Sequence, residues 1–477
     1  MVMETMQIRL TRGLVQEIKN LVNKGIYPNS SECVRDAVRR LITGAGGKLD
    51  IPEANKVQKQ IIKEIKESFQ KPTGTTDFFP EDLAVRNKIF NSLRNTAKKF
   101  GFNEVEPPAF ETTDLLTKKS GQEILNQIFT LEQKGDERFG LRFDLTIPIT
   151  RMFIEKQKSI QKPVKWFSLS RMWRYERPQA GRLREFYQIS IELFGCDKPE
   201  ADAENINLVI SLLTYLGLTQ DDFFIKLNNR KLLEGLLLNI VKQDKLEQLI
   251  RIIDKVKKIT QEEFEKELKT IKVDPKEIKK ILKCETLKDI EQLKLNKQAK
   301  QGYEELKSVF NLLDGKYVKF DISVARGLAY YTGTVFEVYD KQEKFRALAG
   351  GGRYDNLVEL YKGSPTPATG FAMGYSTLSL LLEEKNLLPK PDLSVDYFVV
   401  IIGDVKEKAL EIIKQLRKKY SVDYDLSQRK IKKQMDYADY IKAKKVIFIG
   451  EDEIKEGMLT VKEMKTGKQS KISIDIL

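Results

Sequence analysis

The chain has 477 residues, 41% hydrophobic and 32% charged, with 83 Lys and Arg against 69 Asp and Glu and no histidine. That length exceeds one hydrophobic core and implies roughly three or four domains, and the formal charge of +14 fits a polyanionic partner as readily as solvated, lysine-rich helix faces. The missing imidazole excludes Ser/His/Asp and Cys/His nucleophile systems, zinc sites of the usual mixed kind and histidine proton shuttles, so any chemistry must rest on carboxylates, arginines and positioning.

No apolar run approaches the ~20 residues of a membrane span, and no secretory signal is read at the start. The widely separated Cys33, Cys196 and Cys284 suit a reducing cytoplasm better than a disulfide framework. A cytoplasmic, globular α+β protein of several domains is expected.

Residues 1–43 form a self-contained pattern. Thr5 to Thr11 alternates, with Met6, Ile8 and Leu10 on one face and Gln7, Arg9 and Thr11 on the other, as in a half-buried strand. Leu14, Ile18 and Leu21 then repeat at helical spacing up to Gly25. Asn29 is a good N-cap, with Glu32 three residues later, for a second helix that turns Val34, Val38, Leu41 and Ile42 inward. So short a unit buries too little by itself and should need a partner copy. The segment TMQIRLTRGLVQEIKNLVNKGIYPNSSECVRDAVRRLI resembles the ribbon-helix-helix DNA-binding family along its whole length. The resemblance implies strands paired between two subunits in a DNA major groove, with Gln7, Arg9 and Thr11 facing bases and Asn29 to Ser31 holding a phosphate.

Thr43 to Gly47 reads as a flexible linker, and Pro52 to Phe69 as a helix with Val57, Ile61 and Ile65 on one stripe, so 44–70 is assigned as linker and helix. A mixed strand and helix region runs over 71–224. Residues 225–312 are Lys- and Glu-rich, helical by period and poor in glycine, which marks an insertion. Strand-like segments return within 313–389, at Tyr317 to Val324 and Thr334 to Tyr339. After Pro389-Lys390-Pro391, residues 394–477 alternate like a small α/β domain.

Chemistry concentrates in the middle of the chain. Arg174, Arg177, Arg182 and Arg184 surround a Pro-Gln-Ala-Gly turn between two apolar strands, an arrangement suited to gripping a polyphosphate. Gln188 and Glu192 follow at strand spacing on one face, where inward polar groups need a ligand or a partner. The strings TGTTDFFPED (73–82), FETTD (110–114), LRFDLT (141–146), WRYERPQAGRLREFYQISIELFG (173–195), RGLAYYTG (326–333) and AGGGRYD (349–355) occur in this order. Together they resemble the histidyl-tRNA synthetases, class II aminoacyl-tRNA synthetases, particularly their archaeal form. The stretch RKIKKQMDYADYIKAKKVIFIGEDEIKEGMLTVKEMKTGK resembles the anticodon-binding domain of that group, so the likeness runs from about residue 71 to the end.

The resemblance implies an antiparallel catalytic sheet with flanking helices, a helical insertion and a C-terminal α/β anticodon-binding domain. It implies a homodimer that uses ATP, Mg²⁺, histidine and tRNA(His). Arg174 would contact the ATP α-phosphate, Glu176 the adenine and Arg182 the outer phosphates. Glu111, Thr113 and Gln188 would cradle the ammonium of histidine, while Glu192 and Tyr331, with Tyr330 beside it, would bracket the imidazole. A carboxylate and a phenol satisfy the one donor and one acceptor of a neutral imidazole. Arg326 would lie against the α-phosphate, where the substrate carboxylate attacks in line and positioning with cationic stabilisation replaces histidine chemistry.

Two features qualify the likeness. Where the family's third motif places an arginine on the γ-phosphate, this chain has Gly374-Tyr375-Ser376-Thr377, so either another cation, Arg353 or a lysine, substitutes for the arginine missing at Thr377, or activation is impaired. The runner-up family is the regulatory subunit of ATP phosphoribosyltransferase, which shares the catalytic fold and senses histidine without activating it. Within the leading reading, a histidine-free synthetase is translated in full while its own product is scarce, with Tyr175 and Tyr187 standing where relatives often carry histidine.

Overall fold

The structure, a computed structural model, describes residues 10–43, 52–67, 71–118, 126–256, 259–325, 330–427 and 429–474. Two compact units divide the chain, Met1–Asp77 and Phe78–Leu477.

In the first unit Thr11 begins α1 (Arg12–Asn23) by accepting the Leu14 N–H on its hydroxyl, and Leu14, Ile18 and Leu21 are buried as their spacing predicts. Thr11, expected on the outer face of a strand, is thus an exposed helix cap; Gln7 and Arg9 lie outside the described residues. Asn29 caps α2 (Ser30–Thr43) by accepting from the Glu32 N–H at 2.9 Å, as read from the sequence. The helix α3 (Pro52–Glu67), expected only to follow a linker, packs against both and buries Val57 and Ile61 in the core with Leu14, Ile18, Cys33 and Ala37. Its buried Gln58 donates to the Tyr27 phenol oxygen at 2.8 Å and to the Cys33 carbonyl at 3.0 Å. Tyr27 donates in turn to Asp36 at 3.0 Å, and burial pushes its phenol up to about 12. A third helix therefore supplies apolar cover that two short helices lack.

The second unit is built on an eight-stranded sheet in the order β1-β4-β5-β10-β9-β8-β6-β7. The strands are β1 (Asn103–Glu104), β4 (Val164–Trp173), β5 (Glu185–Phe194), β6 (Phe223–Asn229), β7 (Val318–Phe320), β8 (Thr334–Asp340), β9 (Ala349–Arg353) and β10 (Ala368–Gly374). All neighbours are antiparallel except β1 with β4 and β6 with β7. A separate pair joins β2 (Phe110–Thr112) to β3 (Phe139–Leu141). The period of two along β5 divides the site from the core: Ile189, Ile191 and Leu193 enter the main core with α4 (Pro80–Lys99) and α7 (Pro199–Thr214), while Gln188, Ser190 and Glu192 face the other side. Flanking this are α5 (Thr113–Thr117), α6 (Thr146–Lys156), α14 (Leu357–Leu360) and α15 (Tyr375–Glu384).

The helical insertion holds α8 (Arg230–Leu237), α9 (Gln243–Asp254), α10 (Gln261–Thr270), α11 (Pro275–Leu282), α12 (Leu287–Glu291) and α13 (Lys297–Asn311). It starts later than the sequence reading of 225, because Phe223–Asn229 is a strand of the main sheet. Every residue of that strand is buried, so it lacks the alternation that reveals a half-exposed strand.

At the C-terminal end, β12 (Val422–Tyr424), β11 (Tyr397–Ile401) and β13 (Lys445–Ile449) run parallel, and β14 (Met458–Glu463) and β15 (Gln469–Ser473) continue the sheet antiparallel. Cores form on both faces, one with α16 (Lys406–Leu416) and the other with α17 (Ile431–Tyr440); α18 (Glu451–Glu456) packs on β13 and β14. Among the described residues no helix is long and apolar enough to cross a membrane.

Candidate active site

The β4–β5 hairpin carries the arginine-rich turn over an open cleft of about 530 Å³. Arg174 donates through Nε to the Phe143 carbonyl at 2.9 Å, and its guanidinium carbon lies 5.2 Å from the centre of the Phe186 ring. The turn closes through reciprocal backbone bonds between Gln179 and Arg182, at 3.0 and 2.8 Å. Arg182 pairs through Nε with the Glu176 carboxylate. Burial alone would raise the Glu176 carboxyl, but the bond from Arg182 and the charges of Arg182, Arg174 and Arg346 outweigh it and hold the group below its ordinary value. Arg184 donates to the Glu176 carbonyl at 3.1 Å and covers the exposed Tyr175 ring at 4.3 Å.

Opposite the hairpin, Thr377 opens the first turn of α15, and its hydroxyl donates to the Gly181 carbonyl at 3.4 Å. Gly181 has φ +72°, and a Cβ there would stand 3.2 Å from the Thr377 hydroxyl, so the turn tip closes directly onto this wall. Arg353 does not substitute for the missing arginine. It is buried, donates to Asp202 at 2.9 Å, to Asp355 at 3.2 Å and to the carbonyls of Cys196 and Lys198 at 2.9 and 3.0 Å, and does not line the cleft. Its guanidinium is thereby committed to structure.

Along β5 from the cleft, buried Gln188 donates to Ser190 at 3.0 Å. Two residues further, Glu192 is 1% exposed and accepts from the Tyr354 phenol. Tyr330 lies tilted by 33° against Tyr331 with ring centres 4.5 Å apart and meets Tyr354 edge-on at 5.9 Å, so three phenol rings gather at one locus with Glu192. Gly370 keeps it open: a Cβ there would fall 2.4 Å from a Glu192 oxygen and 2.7 Å from the Tyr354 hydroxyl. Glu111 is gripped by Arg151 on α6, at 3.1 Å from Nε and 2.8 Å from Nη2. Thr113 bonds through its N–H to the Arg138 carbonyl at 2.9 Å.

A family model described as histidyl-tRNA synthetase matches residues 74–378, and one described as anticodon binding domain matches residues 396–477. The histidine–tRNA ligase of Pyrococcus horikoshii is 38% identical over 84% of this chain and 96% of its own. The chain belongs to the histidyl-tRNA synthetase family. Among solved histidyl-tRNA synthetases, that of Nostoc sp. PCC 7120 aligns with a TM-score of 0.70 at 26% identity, covering 86% of this chain and 98% of the other. The apo enzyme of S. aureus aligns at 0.65 and 30% identity, covering 85% and 98%. The eight-stranded sheet is thus the class II synthetase sheet, and the terminal α/β domain the anticodon-binding one.

Of the candidate residues of this synthetase, Arg174, Glu176, Arg182 and Gln188 line the cleft together. Glu192, Tyr330 and Tyr331 share the adjoining locus on the same sheet face, whereas Glu111 and Thr113 sit at the β2–β3 pair and do not line the cleft. Arg326 lies outside the described residues. Two further groups become visible only in three dimensions. Tyr354 sits next to the conspicuous glycines in AGGGRYD, but its partner is 162 residues away. Arg151 occupies an ordinary helix position whose only sequence signal is a charge within the apolar run of α6.

A second cavity, of about 420 Å³, opens at the carboxyl ends of β11 and β12 and is lined by Gly403, Tyr424, Asp425, Arg429, Lys430 and Gln434. Such crevices beyond parallel strand ends are habitual ligand positions.

Proposed function

We propose that the cleft binds MgATP and the Glu192 locus binds histidine, so that the chain activates histidine and transfers it to tRNA(His). The single observation carrying this assignment is continuity: one face of β5 runs from the arginine turn over the cleft, through Gln188, to a buried carboxylate bonded to a tyrosine. A carboxylate oxygen of histidine attacks the α-phosphorus, the bond to the β-phosphate oxygen breaks, and pyrophosphate leaves. Arg174, with Arg326, stabilises the charge that develops on the α-phosphate oxygens. Glu176 accepts from the adenine amino group and Arg182 neutralises outer phosphates. A ribose hydroxyl of the tRNA then attacks the acyl carbon and AMP departs.

Selectivity for histidine follows from the buried groups. The imidazole has one donor for Glu192 and one acceptor for a tyrosine hydroxyl, and an analogue lacking either forgoes one of those bonds. Histidine-dependent exchange of pyrophosphate into ATP tests the assignment. Robust exchange in the wild type, abolished by Arg326→Ala, is expected; measurable histidine binding without exchange would mark a histidine sensor instead.

The N-terminal unit is proposed to be a ribbon-helix-helix module pairing across a two-fold axis, with Gln7 and Arg9 reading operator DNA. The capped second helix and the buried Leu14, Ile18 and Leu21 support this reading. A homodimeric synthetase supplies the two-fold that such pairing needs. Salt-sensitive binding to a palindromic duplex, lost in Arg9→Ala, is expected; equal binding to scrambled duplexes would reduce it to charge attraction.

A further inference from the structure

The cleft's cations are unequally committed. Arg182 is neutralised by Glu176, and buried Lys226 pairs with Glu343 at 2.6 Å with Asp321 at 3.9 Å. Arg174 has its Nε on the Phe143 carbonyl. Arg346, on the turn between β8 and β9, lines the same cleft and makes no hydrogen bond or ion pair among the described residues. Its guanidinium is close enough to Arg182 and Glu176 to feel both charges: burial first, then Arg182, lowers it below the ordinary arginine value, while Glu176 opposes them. Arg182 and Arg346 converge on the cleft beside Arg174, and the Glu176 carboxylate offsets only part of the repulsion among the three. Among the described residues the opposite wall lines the cleft with Gly374, Ser376 and Thr377 and no cation, Thr377 being buried under the Gly181 turn.

We propose that Arg346 is a catalytic residue of this synthetase that grips the outer phosphates of ATP, supplying from the β8–β9 turn the positive charge that the α15 wall lacks at Thr377. It acts with Arg182: an incoming triphosphate gives the Arg346 guanidinium an acceptor and places the pyrophosphate leaving group between two guanidinium forks. The assignment rests on the cleft being the MgATP site.

The test compares wild type with Arg346→Ala and Arg346→Lys in pyrophosphate exchange, and measures binding of ATP, AMP and pyrophosphate by calorimetry. Arg346→Ala is expected to raise the ATP KM and the pyrophosphate Kd by about ten- to a hundredfold, the range for a lost charge-assisted contact. The histidine KM and AMP affinity should stay within about twofold, and Arg346→Lys should recover part of the loss, since it keeps the charge without the fork. An unchanged ATP KM, or an equal loss for AMP and histidine, overturns the role. If the wild type itself shows no exchange, the activating reading fails, while calorimetry still decides Arg346: loss of ATP and pyrophosphate affinity with AMP retained supports it, and any other pattern overturns it.

Discussion

Tyr354 donates its phenol to Glu192 across the centre of the sheet, from just past the end of β9 to near the carboxyl end of β5, with the backbone of Gly370 between them. The bond fixes the carboxylate's orientation at the locus that the tyrosine rings share. Tyr354→Phe should therefore raise the histidine KM by about tenfold, the scale of one hydrogen bond to a buried charge, with the ATP KM unmoved. Gly370→Ala should be more severe and abolish histidine binding, because the added Cβ collides with both partners. A histidine KM unchanged in both variants would remove Glu192 from the imidazole site.

Arg151 should act as a positioning residue through Glu111. Two guanidinium nitrogens hold one carboxylate oxygen and leave the other free to receive an ammonium. Arg151→Met keeps the stem but frees the carboxylate, and about a five- to tenfold rise in histidine KM is expected, with Arg151→Lys intermediate. Equal effects on the ATP KM would indicate general damage to α6 instead.

The acid side of the activity profile should report Glu176. Burial raises this carboxyl and its cationic neighbours outweigh burial, so the wild type keeps it ionised well below neutral pH. Arg182→Ala removes the strongest neighbour and leaves burial in place, moving the group upward. As pH falls through the new value the carboxylate takes a proton and stops accepting from adenine. The ratio of exchange rates at pH 5 and 7.5 should therefore drop in the variant relative to the wild type. Parallel profiles would separate Glu176 from nucleotide binding.

In the N-terminal unit, Gln58 ties α3 to the Tyr27 turn and to α2. Gln58→Ala should cost about 1–3 kcal/mol locally by leaving the Cys33 carbonyl and the Tyr27 oxygen short of a donor. Hydrogen exchange followed by mass spectrometry should show faster labelling of residues 12–43 and unchanged labelling of the catalytic sheet. No change would mean that α3 contributes nothing to the stability of the first two helices.

Much of the site is legible in the sequence wherever neighbours in space are neighbours in the chain. Arg174, Glu176 and Arg182 share one hairpin, and the period of two puts Gln188 and Glu192 on one face without further information. The caps at Asn29 and the burial of Leu14, Ile18 and Leu21 are equally local. What escapes are pairings across the sheet. Arg353 reads as a spare cation until Asp202 and Asp355 are seen to saturate it, and Arg346 reads as one more charge in a lysine-rich turn. The strand Phe223–Asn229 is hidden because burial on both faces erases its alternation.

The most direct measurement is formation of histidyl-tRNA by the full chain, with all twenty amino acids offered singly against tRNA(His). Charging by histidine alone, dependent on MgATP and lost in Glu192→Gln, is the predicted result. Histidine binding without any charged tRNA, from a chain that also fails to exchange pyrophosphate, would contradict the assignment of this cleft to adenylate formation.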